Sequence, residues 1–392
     1  EVTMVATLLF AAGLLVRSYG HISGMEPGFD SRGVLTLQLS LDDARYAEAE
    51  KIRELFRDSQ TRLESIPGVA SASVALTLPY ERPLNLPFTL PGDGEQSQRI
   101  TNVVYVTPGF FETLDIPLLQ GRPIQEGDRG GTPYVAVANQ AFVEEHVRDQ
   151  SALGIPVGMG FGGEEGVQIV GVVGNVLQRA GWGVDKTPVW ETPTLYLAAA
   201  QASDGFMRQV HVWFSPSWII KGNASQSDLA AQVTQAFRVV DADLPVARLA
   251  ELQEVMDQAF ARERFEAAFL LAVAGFALLL AGIGLYGIVA HEALERRAEM
   301  GLRMALGATP AKAVWTTGVS GVTLTILGLV LGSVVSIPVG HLMGGLIYGV
   351  TPFDPWTMLF LVGILTLFSA LASFIPAAKI GRTDPGEILK EG

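Results

Sequence analysis

The chain has 392 residues, no cysteine and a formal net charge of −13. Without cysteine there is neither a disulfide framework nor a thiolate metal site. The acidity also argues against a nucleic-acid partner, whose phosphate backbone calls for basic patches. The charge is unevenly placed: residues 20–265 hold 31 Asp+Glu against 19 Lys+Arg. From Ala313 to Ala378 there is no Lys or Arg, and Asp354 is the only acid. A water-exposed domain of that size would need surface charge, whereas hydrocarbon would not.

Crossing about 30 Å of hydrocarbon takes about 20 apolar residues in a helix. Four segments qualify, and the chain therefore reads as about four transmembrane helices carrying one large domain between the first two. The first is Val2–Val16, followed by Arg17, whose long side chain can snorkel to the interface. Because the chain opens at Glu1 already apolar and without a basic leader, we expect it to begin inside this helix, with an upstream part missing. The remaining spans are Ala267–Ala290, Ala313–Ile347 (long enough to kink at Pro338 or to tilt) and Pro355–Ala378, ended by Pro376. The short connection His291–Lys312 holds Arg296, Arg297, Arg303 and Lys312, and the tail holds Lys379, Arg382 and Lys390. The loop His341–Pro355 holds no basic residue except His341 itself. The positive-inside rule puts the first connection and the tail in the cytoplasm and the large domain outside.

The inserted domain reads as mixed α and β. Val34–Leu41 alternates as a strand, Tyr46–Ile66 has helical spacing with Ile52, Leu55, Phe56 and Leu63 on one face, and Pro67-Gly68 stops that helix before a strand at Val69–Leu76. A second copy of the order reads as strand Val210–Phe214, helix Ser227–Val240 and strand Leu244–Leu249. Two β-α-β units suggest a split, ferredoxin-like layer. Between them a Gly/Pro-rich insert, about 108–200, with strands at Tyr134–Ala138 and Val167–Val173, reads as a second, β-rich part. Leu249–Arg264 shows a helical pattern with no breaker before the second span. A continuous helix over Leu249–Ala290 would be about 60 Å long and a rigid lever.

Chemistry-bearing motifs are scarce. Gly158-Met-Gly-Phe-Gly-Gly163 has the letters of a dinucleotide fingerprint, but a strand follows where a helix is required, so it reads as a hairpin loop. No phosphate-cradling Gly-x-x-x-x-Gly-Lys-Ser/Thr loop is present. The five histidines are scattered without metal-site spacing. No acid, base and nucleophile stand together, so no enzyme is legible. The spans contain Gly282, Gly284 and Gly287, then Gly328 and Gly332, then Gly340 and Gly344; small residues four apart let helix backbones approach closely, within one bundle or along a seam with a second. No charged residue lies deep in a span, which leaves an ion-coupled pathway without carriers. The connection His291–Pro310 is short, helical and amphipathic, suited to lying on the membrane or to docking a partner.

That connection contains Arg297-Ala-Glu-Met-Gly-Leu-Arg-Met-Ala-Leu-Gly-Ala308. It resembles the Arg-x-Glu-Ile-Gly-(Ile/Leu)-Arg-x-Ala-Leu-Gly-Ala signature of MacB/FtsX-type ABC transporter permeases. The tail Pro376-Ala-Ala-Lys-Ile-Gly-Arg-Thr-Asp-Pro385-Gly-Glu-Ile-Leu is similar to their closing Pro-Ala-x-x-Ala-x-x-x-Asp-Pro-x-x-x-Leu, with Gly381 where Ala is usual. Gly109-Phe-Phe-Glu-Thr-Leu-Asp-Ile-Pro-Leu-Leu-Gln-Gly-Arg122 looks like the start of their periplasmic core domain. Pro27-Gly-Phe-Asp30 and Pro67-Gly-Val69 resemble the duplicated "orphan" permeases of acidobacteria, of which this chain would be one half.

The resemblance implies a truncated first helix over 1–19, a periplasmic domain of porter-like and β-rich parts over 20–264, and a permease domain over 265–392. It also implies a coupling helix at about 292–309, where Arg297, Glu299, Gly301, Arg303, Leu306 and Gly307 touch a separate ABC-type ATPase. ATP would be bound by that partner and no cofactor by this chain. Other implied partners are a second permease half or a homodimer mate, membrane lipid and a periplasmic protein, in a bacterial inner membrane. The implied work is mechanotransmission for export; the alternative is an FtsX-like scaffold that activates an extracytoplasmic enzyme.

Overall fold

The computed structural model describes residues 2–41, 44–93, 98–148, 151–160, 166–179, 188–222, 226–241, 243–244, 246–295 and 309–380. It divides into two compact units: Glu1–Met25 with Ala261–Gly392, and Glu26–Phe260.

The first unit opens with helix α1 (Val2–Ser23). The second follows in chain order. Strand β1 (Val34–Leu39) leads to α2 (Ala49–Glu64), whose buried Ile52, Leu55, Phe56, Ser59 and Leu63 recur at helical spacing. Gly68, at φ 92°, turns the chain into β2 (Val69–Ala75). Next come β3 (Leu84–Phe88), β4 (Arg99–Val106), the short α3 (Phe110–Thr113), β5 (Leu118–Gly121), β6 (Val135–Asn139) and the single turn α4 (Gln140–Phe142). Strands β7 (Pro156–Val157), β8 (Val167–Val173), β9 (Leu177–Arg179), β10 (Val189–Glu191) and β11 (Thr194–Ala198) complete the insert. The unit ends with α5 (Asp204–His211), β12 (Ser217–Gly222), α6 (Gln226–Val240), β13 (Val246–Glu251) and α7 (Leu252–Ala259).

One mixed sheet runs β13-β1-β12-β2-β4-β11-β6-β8-β5. Its first four strands are antiparallel to their neighbours, with Leu37 opposite both Trp218 and Leu249. β4–β11 and β6–β8 pair in parallel. The expected β-rich part therefore continues the sheet, joined through the pair Ala75–Val106. β9 and β10 form a separate two-stranded ribbon.

Trp218 on β12 is fully buried; its Nε1 donates to Ser59 on α2 at 2.7 Å. Its ring meets Phe56 at 5.5 Å and Phe237 on α6 at 5.3 Å, both edge-on. One aromatic side chain thus pins both helices to the sheet, a geometry that adds to its area burial.

Three sequence expectations change. Val210–Phe214 is not a strand: Ser203 caps α5 by accepting from the Phe206 N–H, and this helix carries Val210 and His211 before the true strand begins at Ser217. An apolar run that short cannot be told from a buried helix turn by periodicity. The continuous helix Leu249–Ala290 is absent too. Leu249 and Ala250 pair with β1, α7 ends at Ala259, and Phe260 leaves helical geometry (φ −103°, ψ 7°) with its ring edge-on to Tyr80 at 5.6 Å. A new helix, α8 (Ala261–Glu295), starts after it. Finally, Pro376, read as a stop, lies inside a helix, as does Pro338. α9 (Pro310–Leu342) continues past Pro338, and α10 (Pro355–Ile380) past Pro376.

α1, α8, α9 and α10 are long and apolar enough to cross a membrane. Val5, Ala6, Phe10 and Leu14 of α1 form a buried cluster with Leu329, Ile347, Leu361 and Leu365. The seams are built on small residues. A Cβ at Gly332 would stand 2.5 Å from that of Ala6, and at Gly328 2.6 Å from that of Val2. Gly282 lies under the ring of Phe368, Gly340 against the Pro352 carbonyl, and Gly344 faces open space. Arg17 does not simply reach for the interface: it pairs with Asp354, which also accepts from Thr357 N and Oγ1 at 2.6 Å each at the start of α10.

Gly332→Leu is expected to lower the thermal midpoint of the full chain in detergent, at a cost of about 1–3 kcal/mol from overpacking, while Gly344→Leu leaves it unchanged. Equal effects of the two would contradict this packing. In the second unit, His211 shares a 2.7 Å hydrogen bond with Tyr105, and burial pushes its imidazole down to about 4. The unfolded imidazole, near 6.5, takes its proton first as pH falls. His211 therefore contributes its full stability above about pH 6.5 and loses roughly 3 kcal/mol of it on descent to about 4. The fall in the unfolding midpoint between those pH values should be shallower in His211→Gln; equal slopes would refute the assignment.

Candidate functional site

The residues singled out by sequence fall in two places. Arg297, Glu299, Gly301, Arg303, Leu306 and Gly307 lie outside the described residues, as does the tail after Ile380. The flanking helices are described: α8 runs to Glu295, and α9 opens at Pro310 with Pro in its first turn, where a missing N–H is tolerated. Gly282, Gly328, Gly332 and Gly340 sit at contacts within the one bundle, and Gly344 does not.

The Gly109–Arg122 motif has a structural job. Gly109 takes φ 86°, and the following Phe110 and Phe111 are buried against Tyr196 of β11, with centroids at 5.8 and 5.2 Å. Arg122 closes a bidentate pair with Asp128 at 2.7 and 2.8 Å. The glycine-rich run beginning at Gly158 follows β7, which pairs antiparallel with β8; Gly158 bridges to Thr89, and residues 161–163 lie outside the described residues.

Sequence reasoning missed a cleft of about 900 Å³ within the unit Glu26–Phe260. Its polar lining includes Gln38 of β1, Glu81 and Arg82 of the turn after β2, Arg179 of β9 and Arg248 of β13. Its apolar lining includes Leu84 and Leu86 of β3, Val255 of α7, and Phe206, Trp213 and Phe214 from α5 and the turn after it. Trp213 is 80% exposed. These residues come from six separate stretches of chain, so no local motif could announce them.

Glu81 organises the polar lining. It accepts from Gln38 Nε2 at 3.0 and 3.2 Å and from the Leu78 N–H at 3.0 Å, and lies 3.7 Å from Arg248. Burial raises its carboxyl above the usual range, opposed by those hydrogen bonds and by the charges of Arg248 and Arg179. Arg248 also donates to Gln258 at 2.7 Å, and Arg179 to the Ala259 carbonyl at 3.4 Å. Thr77 lines the cleft with a buried hydroxyl that has no hydrogen-bond partner among the described residues. The arrangement can bind, but it offers no nucleophile paired with a base.

Comparison with known proteins bears on both units. Residues 5–239 match the family model "MacB-like periplasmic core domain", and residues 271–385 match "FtsX-like permease C-terminal". "Macrolide export ATP-binding/permease protein MacB 2" of Aeromonas hydrophila is 25% identical over 299 residues, 74% of this chain and 43% of that protein. The chain thus spans under half the length of that relative. "Uncharacterized ABC transporter permease YvrN" of Bacillus subtilis is 25% identical over 354 residues, 84% of this chain and 81% of that one. A solved periplasmic region of MacB from Actinobacillus actinomycetemcomitans aligns with 60% of this chain and 95% of its own, at 12% identity and a TM-score of 0.39. With both family models matched in order along four apolar helices and an inserted mixed sheet, this chain belongs to the MacB/FtsX-type ABC transporter permeases, multi-pass inner-membrane proteins with a large periplasmic domain.

Proposed function

We propose that this permease works by mechanotransmission, coupling a separate ABC-type ATPase to motion of the periplasmic domain for export of a substrate. The observation that carries the reading is the order of parts along one chain. A core-domain match lies between α1 and α8, and a permease match contains the amphipathic, Arg- and Glu-rich connection 292–309. Energy enters at that connection. The periplasmic domain continues by chain into α1 at one end and α8 at the other, so displacement of these helices acts on both its ends. The sequence between Ala267 and Ala290, and between Ala313 and Ala378 apart from Asp354, holds no Asp, Glu, Lys or Arg. That favours a stroke over an ion-coupled path through the bilayer.

We further read β13-β1-β12-β2 with α2 and α6 as a ferredoxin-like, porter-type layer. With β1, β2, β12 and β13 taken as strands one to four, the order is 4-1-3-2, all antiparallel, with a helix in each crossover. The assembly would hold the ATPase, which alone binds ATP, and a second permease half or a homodimer mate, with room for a periplasmic partner.

By resemblance Arg303 stands at the ATPase contact. Arg303→Glu is expected to abolish stimulation of the partner ATPase in reconstituted membranes while insertion stays normal. Unchanged stimulation would contradict the coupling role, and stimulation lost together with insertion would be separated from it by the conservative Arg303→Lys, which should retain most of it.

A further inference from the structure

We propose that the periplasmic cleft binds a small amphipathic anion: one acidic group on an apolar, preferably aromatic, body. The volume comes first. About 900 Å³ falls in the range of pockets that enclose a single drug-sized ligand, and is too small for a docked domain. Charge comes second. Arg82, Arg179 and Arg248 line the cleft with one acid, Glu81, which pairs with Arg248 at 3.7 Å and accepts from Gln38 and the Leu78 N–H, so the formal charge of the lining is positive. In a chain of net charge −13 this is a local reversal of sign, and a concave wall concentrates such a field. Arginine in particular presents a planar fork that fits carboxylate, sulfonate or phosphate oxygens.

The apolar lining residues supply the rest. Trp213 stands 80% exposed, an expensive placement for an indole in water, with Phe214 beside it. A lining that combines aromatic rings with guanidinium groups suits a ligand that carries both an apolar body and an anionic group. The unpartnered hydroxyl of Thr77 adds a neutral donor or acceptor to the same lining. The cleft lies wholly within the unit Glu26–Phe260, so binding does not depend on transport; that the ligand is cargo rests on the permease reading above.

The test uses the full chain in zwitterionic lipid nanodiscs and two probes of the same body, 8-anilinonaphthalene-1-sulfonate and its uncharged counterpart N-phenyl-1-naphthylamine. Probe fluorescence is read above that of empty nanodiscs. The sulfonate should bind saturably and at least about tenfold more tightly than the neutral probe, the difference of one charge-assisted contact. Arg179→Glu should weaken the sulfonate by about tenfold or more and leave the neutral probe unchanged, and Trp213→Ala should weaken both. Should Arg179→Glu fold poorly, Arg179→Gln decides, since it removes the exposed charge without reversing it. Equal affinity for the two probes, or sulfonate binding unmoved by Arg179→Gln, would overturn the proposal. ATPase stimulation lost in Arg303→Glu with sulfonate binding intact would leave both readings standing. Binding without any stimulation in the unaltered protein would count against the transport reading alone.

Discussion

Everything in the bundle depends on α1 finding its place against helices that lie far away in sequence. The whole of Glu26–Phe260 intervenes before α8 begins. In hydrocarbon there is little hydrophobic drive between helices, and close van der Waals approach has to supply the association. Gly328 and Gly332, one turn apart on α9, give α1 that approach by leaving room for Val2 and Ala6. Further along, Phe10 and Leu14 fill the centre of the cluster, and Arg17 meets Asp354. The ion pair sits where α10 begins, so Asp354 caps one helix and holds another with the same carboxylate. The inserted domain thus leaves from a helix packed into the bundle and returns into α8, whose Ala277, Leu278 and Ala281 pack against the same cluster.

The periplasmic unit shows the same economy around different chemistry. Trp218 ties α2 and α6 to the sheet through one hydrogen bond and two edge-on ring contacts. Asn139, at the end of β6, accepts from Phe142 N and Thr194 N and donates to the Thr192 carbonyl, so one buried amide starts a helix and fixes two strands. The strand β12 that carries Trp218 pairs with β1, which contributes Gln38 to the cleft.

How much of this could be read in the sequence follows from the range of each signal. The four spans were legible because hydropathy over twenty residues needs no partner. Helix α2 and strands β1, β2 and β8 were legible because their periodicity is local. The Val210–Phe214 run misled because five residues, four of them apolar, fit a helix end as well as a strand, and the Ser203 cap that decides it lies seven residues upstream. The break at Phe260 was invisible because nothing in Leu249–Arg264 breaks a helix by propensity. It is the pairing of Leu249 and Ala250 with β1, and the ring of Phe260 on Tyr80, that override the pattern. Likewise Arg17 and Asp354 each stood out as isolated charges, and only the fold brings them together. The cleft could not be found at all, since Gln38, Glu81, Arg179 and Arg248 are distant in sequence and share no motif.

The central claim is that energy entering at the cytoplasmic connection moves α1 relative to α8. The chain has no cysteine, so two introduced ones are unique. Spin labels at Ser23→Cys and Arg264→Cys, both exposed, would report the separation of the two helices at their domain-bearing ends by pulsed electron resonance. With the ATPase partner in nanodiscs, the account predicts that trapping the partner in its ATP-bound state shifts the distance distribution, and that Arg303→Glu cancels the shift. Identical distributions with and without ATP, in a complex whose ATPase is active, would contradict it.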